Sequence, residues 1–127
     1  MDQNKIPPVA DRLQELGAQV KTIDPESNVL GYSGVNATFK TDSSIWAEIQ
    51  VNSPEMIFGK EPESIARQLL GDQTYDDIAS RSSVRGGMGH QLYESWRNLN
   101  PASQEAQQIA AQSRAYYDAI REAGNVK

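Results

Sequence analysis

The sequence predicts an α+β fold, in which a short mixed or antiparallel sheet containing a β-hairpin is packed by several C-terminal helices. Three observations carry that reading. Residues 29–39 and 45–51 are rich in strand formers and alternate, imperfectly in the first run, around the polar tetrad Thr41-Asp42-Ser43-Ser44, which predicts a hairpin over about 29–51. From Pro54 onward apolar residues recur at helical spacing instead. A length of 127 residues with 38% hydrophobic content suits one domain, 1–127, with a single modest core.

The elements follow in order. Residues 1–8 are polar and end in Pro7-Pro8, a frayed lead-in. Val9, Leu13 and Leu16 lie at i, i+4 and i+7, one face of a short helix, and Gly17 stands where a C-cap glycine belongs. A short strand over 18–23 follows, then the turn formers Asp24-Pro25-Glu26-Ser27-Asn28. In the hairpin, Val35, Ala37 and Phe39 oppose Asn36, Thr38 and Lys40, while Ile45, Ala47, Ile49 and Val51 alternate with Trp46, Glu48 and Gln50. One face is therefore expected on helices, with Trp46, Glu48 and Gln50 on the other.

Ser53-Pro54 forms an N-cap and N1 pair, with Glu55 at the positive end of the helix dipole. Ile65, Leu69 and Leu70 continue that helix or start a second after Pro62, closed by Gly71. A short helix over 73–80 packs through Tyr75 and Ile78, and 82–89 reads as a flexible loop. Helices over 90–99 and 102–123 complete the chain.

Composition narrows the function classes. A net charge of −5 lacks the basic footprint of a nucleic-acid binder, so no nucleic-acid polymer is expected as partner. Small anions remain open, because a few placed cations hold a phosphate against an unfavourable mean field. There are no cysteines, which excludes disulfides and thiolate sites, and the one His excludes a two-His metal motif. No apolar run reaches the roughly 20 residues that cross a bilayer, and no signal region opens the chain, so a cytoplasmic protein without membrane contact is expected.

Few residues invite chemistry. Glu48 is either a solvated strand residue, a Mg²⁺ ligand, or an acceptor of a proton from an attacking hydroxyl. Tyr32, between Gly31 and Ser33-Gly34, either packs at the sheet edge or offers its ring to a nucleobase. Gly86-Gly87-Met88-Gly89 follows no strand and lacks the Lys-Ser/Thr of a P-loop, so it reads as a hinge. His90 opens a helix, where the dipole disfavours its charged form, and Leu92, Tyr93 and Trp96 read as core. Arg67, Arg81, Arg85 and Arg97 are candidate phosphate contacts.

An ordered set of motifs adds a resemblance. Gly31-Tyr32-Ser33-Gly34-Val35-Asn36 is similar to the Gly-Tyr-x-Ser/Gly-aliphatic-His/Asn strand of RelA/SpoT-type (p)ppGpp synthetases, and Glu48-Ile49-Gln50-Val51 to their Glu-Ile-Gln-aliphatic strand. Met56, Lys60-Glu61 and Gly89-His90 leading to Tyr93 resemble later family elements, so the match runs over roughly 10–100. The strings around Glu48 and His90 resemble a divergent branch found in phage-associated or toxin-type proteins. The resemblance implies ATP-dependent pyrophosphoryl transfer to a guanine-type nucleotide, an alarmone-forming transferase reaction. It further implies that Tyr32 stacks on the acceptor base and that Asn36 contacts the nucleotide. Glu48 becomes the Mg²⁺-linked or proton-accepting carboxylate, Gln50 supports it, and His90 joins the substrate site. Nothing before Val20 matches the family's ATP-binding half, so only the C-terminal half of the domain is expected here. The chain is then an excised fragment, a natural half-domain with a new binding role, or a partner completed by another polypeptide. The alternative to a nucleotide-transfer site is a non-catalytic accessory module that binds a nucleotide or another protein.

Overall fold

The structure, a computed structural model, describes residues 5–26 and 28–125. Ser27 of the expected turn and residues 1–4 of the expected lead-in lie outside the described residues.

The chain enters through helix α1 (Ile6–Glu15). Pro7 and Pro8 belong to this helix rather than to a lead-in, because the first helical turn has no internal use for the N–H that proline lacks. Its end closes as predicted: the N–H groups of Gly17 and Ala18 donate to the carbonyls of Gln14 and Leu13 at 3.0 and 3.1 Å.

Three strands follow, β1 (Gln19–Ile23), β2 (Gly34–Lys40) and β3 (Trp46–Val51), in an antiparallel sheet of order β1-β2-β3. The hairpin expected from residue 29 begins only at Gly34. Asn28 explains the difference, since its side-chain Oδ1 accepts the N–H groups of Leu30 and Tyr32 and takes them out of any ladder. Directly opposed pairs include Val35 with Val51, Asn36 with Gln50 and Thr38 with Glu48, so the predicted two faces exist. Helix α1 covers the apolar one, where Ile6 and Ala10 are buried with Val35 and Val51. The strands that α1 packs against are chiefly β1 and β2. Ile45 and Ile49, expected against helices, are consequently 64% and 40% exposed.

After β3 the chain is helical: α2 (Pro54–Lys60), α3 (Glu63–Leu70), α4 (Asp72–Ser82), α5 (Met88–Arg97) and α6 (Gln104–Asn125). Ser53 caps α2 by accepting the Met56 N–H at 3.3 Å, and Pro54 occupies the first turn. Pro62 separates α2 from α3, and Gly71 ends α3 as predicted. These helices build a second core from Phe58, Ala66, Tyr75, Ile78 and Ile120. Each large apolar side chain buried there contributes about 1.5–3 kcal/mol relative to exposure. The segment before α5 is a packed turn rather than a flexible hinge. Gly87 N–H donates to the Phe58 carbonyl at 3.0 Å, Met88 N–H to the Tyr116 hydroxyl at 3.3 Å, and that hydroxyl to the Arg85 carbonyl at 2.6 Å. A Cβ on Gly89 would collide with the Tyr117 hydroxyl. Among the described residues no helix is long and apolar enough to cross a membrane.

Candidate functional site

The site is built on the loop between β1 and β2, and helix α6 holds that loop by its backbone. Ser113 Oγ donates to the Leu30 carbonyl at 2.7 Å. Arg114 donates to the carbonyls of Asn28, Val29 and Glu26, and Arg121 to the carbonyl of Gly31 and, at 3.1 Å, to Ser33 Oγ. Burial pulls the Arg121 guanidinium below its usual range, opposed by Asp118 at 3.0 Å. Gly31 sits where the loop passes closest to α6. Its φ is +78°, and a Cβ there would lie 2.8 Å from the Arg114 Cα, so only glycine fits.

That loop delivers Tyr32. Its hydroxyl donates to Asn52 Oδ1, and its ring meets Tyr117 edge-on at 5.8 Å and 66°. Burial pushes the Tyr32 phenol up to about 12, so it stays a neutral donor. The Lys60 ammonium stands 5.4 Å from the ring centroid, within cation–π range. Lys60 Nζ also donates to Gln50 Oε1 at 3.1 Å, and Gln50 Nε2 to Glu48 Oε1 at 3.1 Å. Tyr32, Lys60, Gln50 and Glu48 thus form one continuous chain of contacts from the loop across α2 to the polar face of β3. Asn36 lies on this face directly opposite Gln50.

Beside that chain opens a cavity of about 520 Å³, with Tyr32 and Lys60 on one side and His90, Tyr93 and Trp96 of α5 among its other lining residues. Tyr93 and Trp96, expected in the core, are therefore cavity wall, and Tyr93 is 44% exposed. Their positions follow from α5 starting at Met88, which sets His90, Tyr93 and Trp96 three residues apart on one helical face. The cavity meets no Arg from the four expected phosphate contacts. Arg67 is instead engaged by Asp72 at 3.0 Å and Asp76 at 2.9 Å and lies 4.2 Å from the Tyr75 ring centroid. Arg97 pairs with Glu94 at 3.5 Å. Sequence reasoning assigned no ligand role to Lys60, the cation that the fold places here.

A resident cation finds no prepared site, since no group of three or more His, Asp or Glu among the described residues could hold one. Glu48 offers one exposed carboxylate whose second oxygen has no partner among the described residues. That donor set suits Mg²⁺ only as a co-ligand when phosphates and water supply the rest of the shell.

Comparison with known proteins agrees with the motifs. No family model matches the chain. The chain is nevertheless homologous to part of a RelA/SpoT-like synthetase toxin. Over 121 residues, 95% of its length, it is 55% identical to the (p)ppApp synthetase toxin Tas1 of Pseudomonas aeruginosa (strain UCBPP-PA14). The crystal structure of the complex between the Type VI effector Tas1 and its immunity protein matches 96% of the chain with a TM-score of 0.89 and 55% identity. The chain spans 28% of the length of the toxin and 63% of the chain in that crystal structure.

Proposed function

We propose that the cavity beside Tyr32 is the acceptor-nucleotide site of a pyrophosphoryl transferase, with ATP as donor. The observation that carries this reading is the chain Tyr32–Lys60–Gln50–Glu48. It joins an aromatic ring at the cavity to a cation and then to an exposed carboxylate. A base stacks on the ring, Lys60 draws the phosphates to the mouth, and Asn36 and Gln50 bind polar groups of the nucleotide. His90 lines the same cavity. Glu48 takes the proton from the attacking hydroxyl as that oxygen bonds to the β-phosphorus of ATP and AMP leaves. The same carboxylate would co-ligate a Mg²⁺ brought by the phosphates, and that ion would neutralise their charge. The donor side of such a reaction needs further cationic groups, and a second stretch of polypeptide would supply them.

The named product of the relative, (p)ppApp, favours an adenine nucleotide as acceptor over the guanine type that the family resemblance implies. Calorimetry with ADP, AMP, GDP and ATP, with and without Mg²⁺, tests the site. The expected result is binding of at least one purine nucleotide, weakened tenfold or more in Tyr32→Ala, since a stacked base is worth about 1–3 kcal/mol. Equal affinity in wild type and Tyr32→Ala would remove the ring from the site. Nucleotide turnover unchanged by Glu48→Gln would remove the carboxylate from the chemistry.

A protein-binding reading has one supporting observation. β3 is an edge strand that exposes Trp46 at 60% together with Ile45, the combination that a polypeptide partner covers. The relative was crystallised with its immunity protein. Titration of the chain with that immunity protein tests this reading; binding should weaken in Trp46→Asp, and binding equal to wild type would exclude the β3 edge.

A further inference from the structure

Among the described residues lining the cavity, Asn28 has its side-chain orientation fixed by the neighbouring backbone. Its Oδ1 accepts two N–H groups, from Leu30 at 3.0 Å and Tyr32 at 3.2 Å. A backbone N–H can only donate, so the carboxamide cannot be flipped, and Nδ2 must be the free end. Nδ2 has no partner among the described residues, and Asn28 lines the cavity beside Tyr32. The loop therefore presents two N–H donors at a defined place next to the proposed stacking ring.

Four consecutive carbonyls of the loop already accept hydrogen bonds. The Asn28 carbonyl accepts from Gly31 N–H and Arg114, the Val29 carbonyl from Arg114, the Leu30 carbonyl from Ser113, and the Gly31 carbonyl from Arg121. A ligand edge at Asn28 Nδ2 meets a donor, while the carbonyls of Asn28, Val29, Leu30 and Gly31 each already accept a hydrogen bond. Adenine suits such a surface, because its ring nitrogens accept and it carries a single exocyclic amine. Guanine's Watson–Crick edge suits it less, because its N1–H and adjacent amine are donors that need acceptors when they leave water, and only its O6, N7 and N3 accept.

We infer that Asn28 is a specificity-determining residue of this site, donating from Nδ2 to a ring nitrogen of an adenine nucleotide and disfavouring guanine. The inference rests on the nucleotide reading above. Helix α6 acts through the loop as a positioning element, since Ser113, Arg114 and Arg121 orient the loop by bonding its carbonyls.

Asn28→Asp isolates the point, because the carboxylate retains an oxygen for the two N–H groups while the free end changes from donor to acceptor. The added charge repels ADP and GDP alike and cancels in their ratio. Titration of wild type and Asn28→Asp with ADP and GDP should show the ADP:GDP affinity ratio falling tenfold or more in the variant. An unchanged ratio, with both proteins still binding in a Tyr32-dependent way, overturns the role of Asn28 and leaves the site standing. Absence of purine-nucleotide binding in wild type overturns both. If Asn28→Asp does not fold, the wild-type protein carries the test with 1-, 3- and 7-deaza-ADP. At least one should bind tenfold more weakly than ADP, and equal binding of all three overturns the inference.

Discussion

At Gly31 two constraints coincide, a left-handed backbone and contact with the Arg114 backbone, and neither relaxes independently. Gly31→Ala should lower unfolding free energy by more than about 2 kcal/mol, adding backbone strain to overpacking. A urea-melt difference under 0.5 kcal/mol would show that the loop and α6 part easily. The tyrosines set a pH limit. Burial raises Tyr32 and Tyr116 to about 12 from an ordinary 10, and Tyr117 is raised in the same direction. Between these values the unfolded chain loses phenolic protons that the folded chain keeps, so stability falls as pH rises from about 10 to about 12. Melting temperature should therefore decline across that window, less steeply in Tyr116→Phe. An equally steep decline in that variant would put the alkaline sensitivity elsewhere. Tyr32 and Glu48 stood out in the sequence because short motifs surround them. Lys60 did not, since its contact with Tyr32 bridges 28 positions and no local pattern encodes it. Tyr93 and Trp96 were legible as one helical face, but spacing is the same for a core stripe and for a cavity wall.

Elements were read best where a cap chemistry marks their ends. Gly17, Ser53-Pro54 and Gly71 each end or begin a helix where the sequence placed it. Pro7-Pro8 misled because proline breaks a helix interior but suits its first turn. Residues 29–33 misled because β-forming composition says nothing about a carboxamide that captures the local N–H groups. The clamp from α6 onto that loop was invisible in the sequence, its three side chains lying more than eighty positions away. Its contributions should be graded. Ser113→Ala removes one neutral hydrogen bond and should cost about 1 kcal/mol. Arg121→Ala leaves the Gly31 carbonyl and Ser33 unpaired beside a vacated half-buried space and should cost about 2–3 kcal/mol. Leu69→Gln, at a residue 64% exposed, should stay within about 0.5 kcal/mol. Denaturant titrations that reverse the first two would mean that Ser113, not Arg121, anchors the loop.

Across the whole molecule the fold class was legible, since alternation and helical spacing divide the chain near residue 53. The division into two cores was not, because periodicity marks an apolar face without saying which neighbour covers it. One core lies under α1 and the sheet, the other among the later helices, and the loop clamped by α6 joins them. That joint also governs time. The bonds from Ser113 and Arg121 to Leu30 and Gly31 span 83 and 90 positions, so they close late in any order of synthesis from the N-terminus. A chain ending at residue 112 should pair β2 with β3 yet leave the amides of 30–33 exchanging freely, and protection there in hydrogen exchange would refute the dependence. While a ribosome still holds residue 121, the loop lacks the Arg121 bond it closes against, and the wall that Tyr32 gives the cavity is not yet fixed in place.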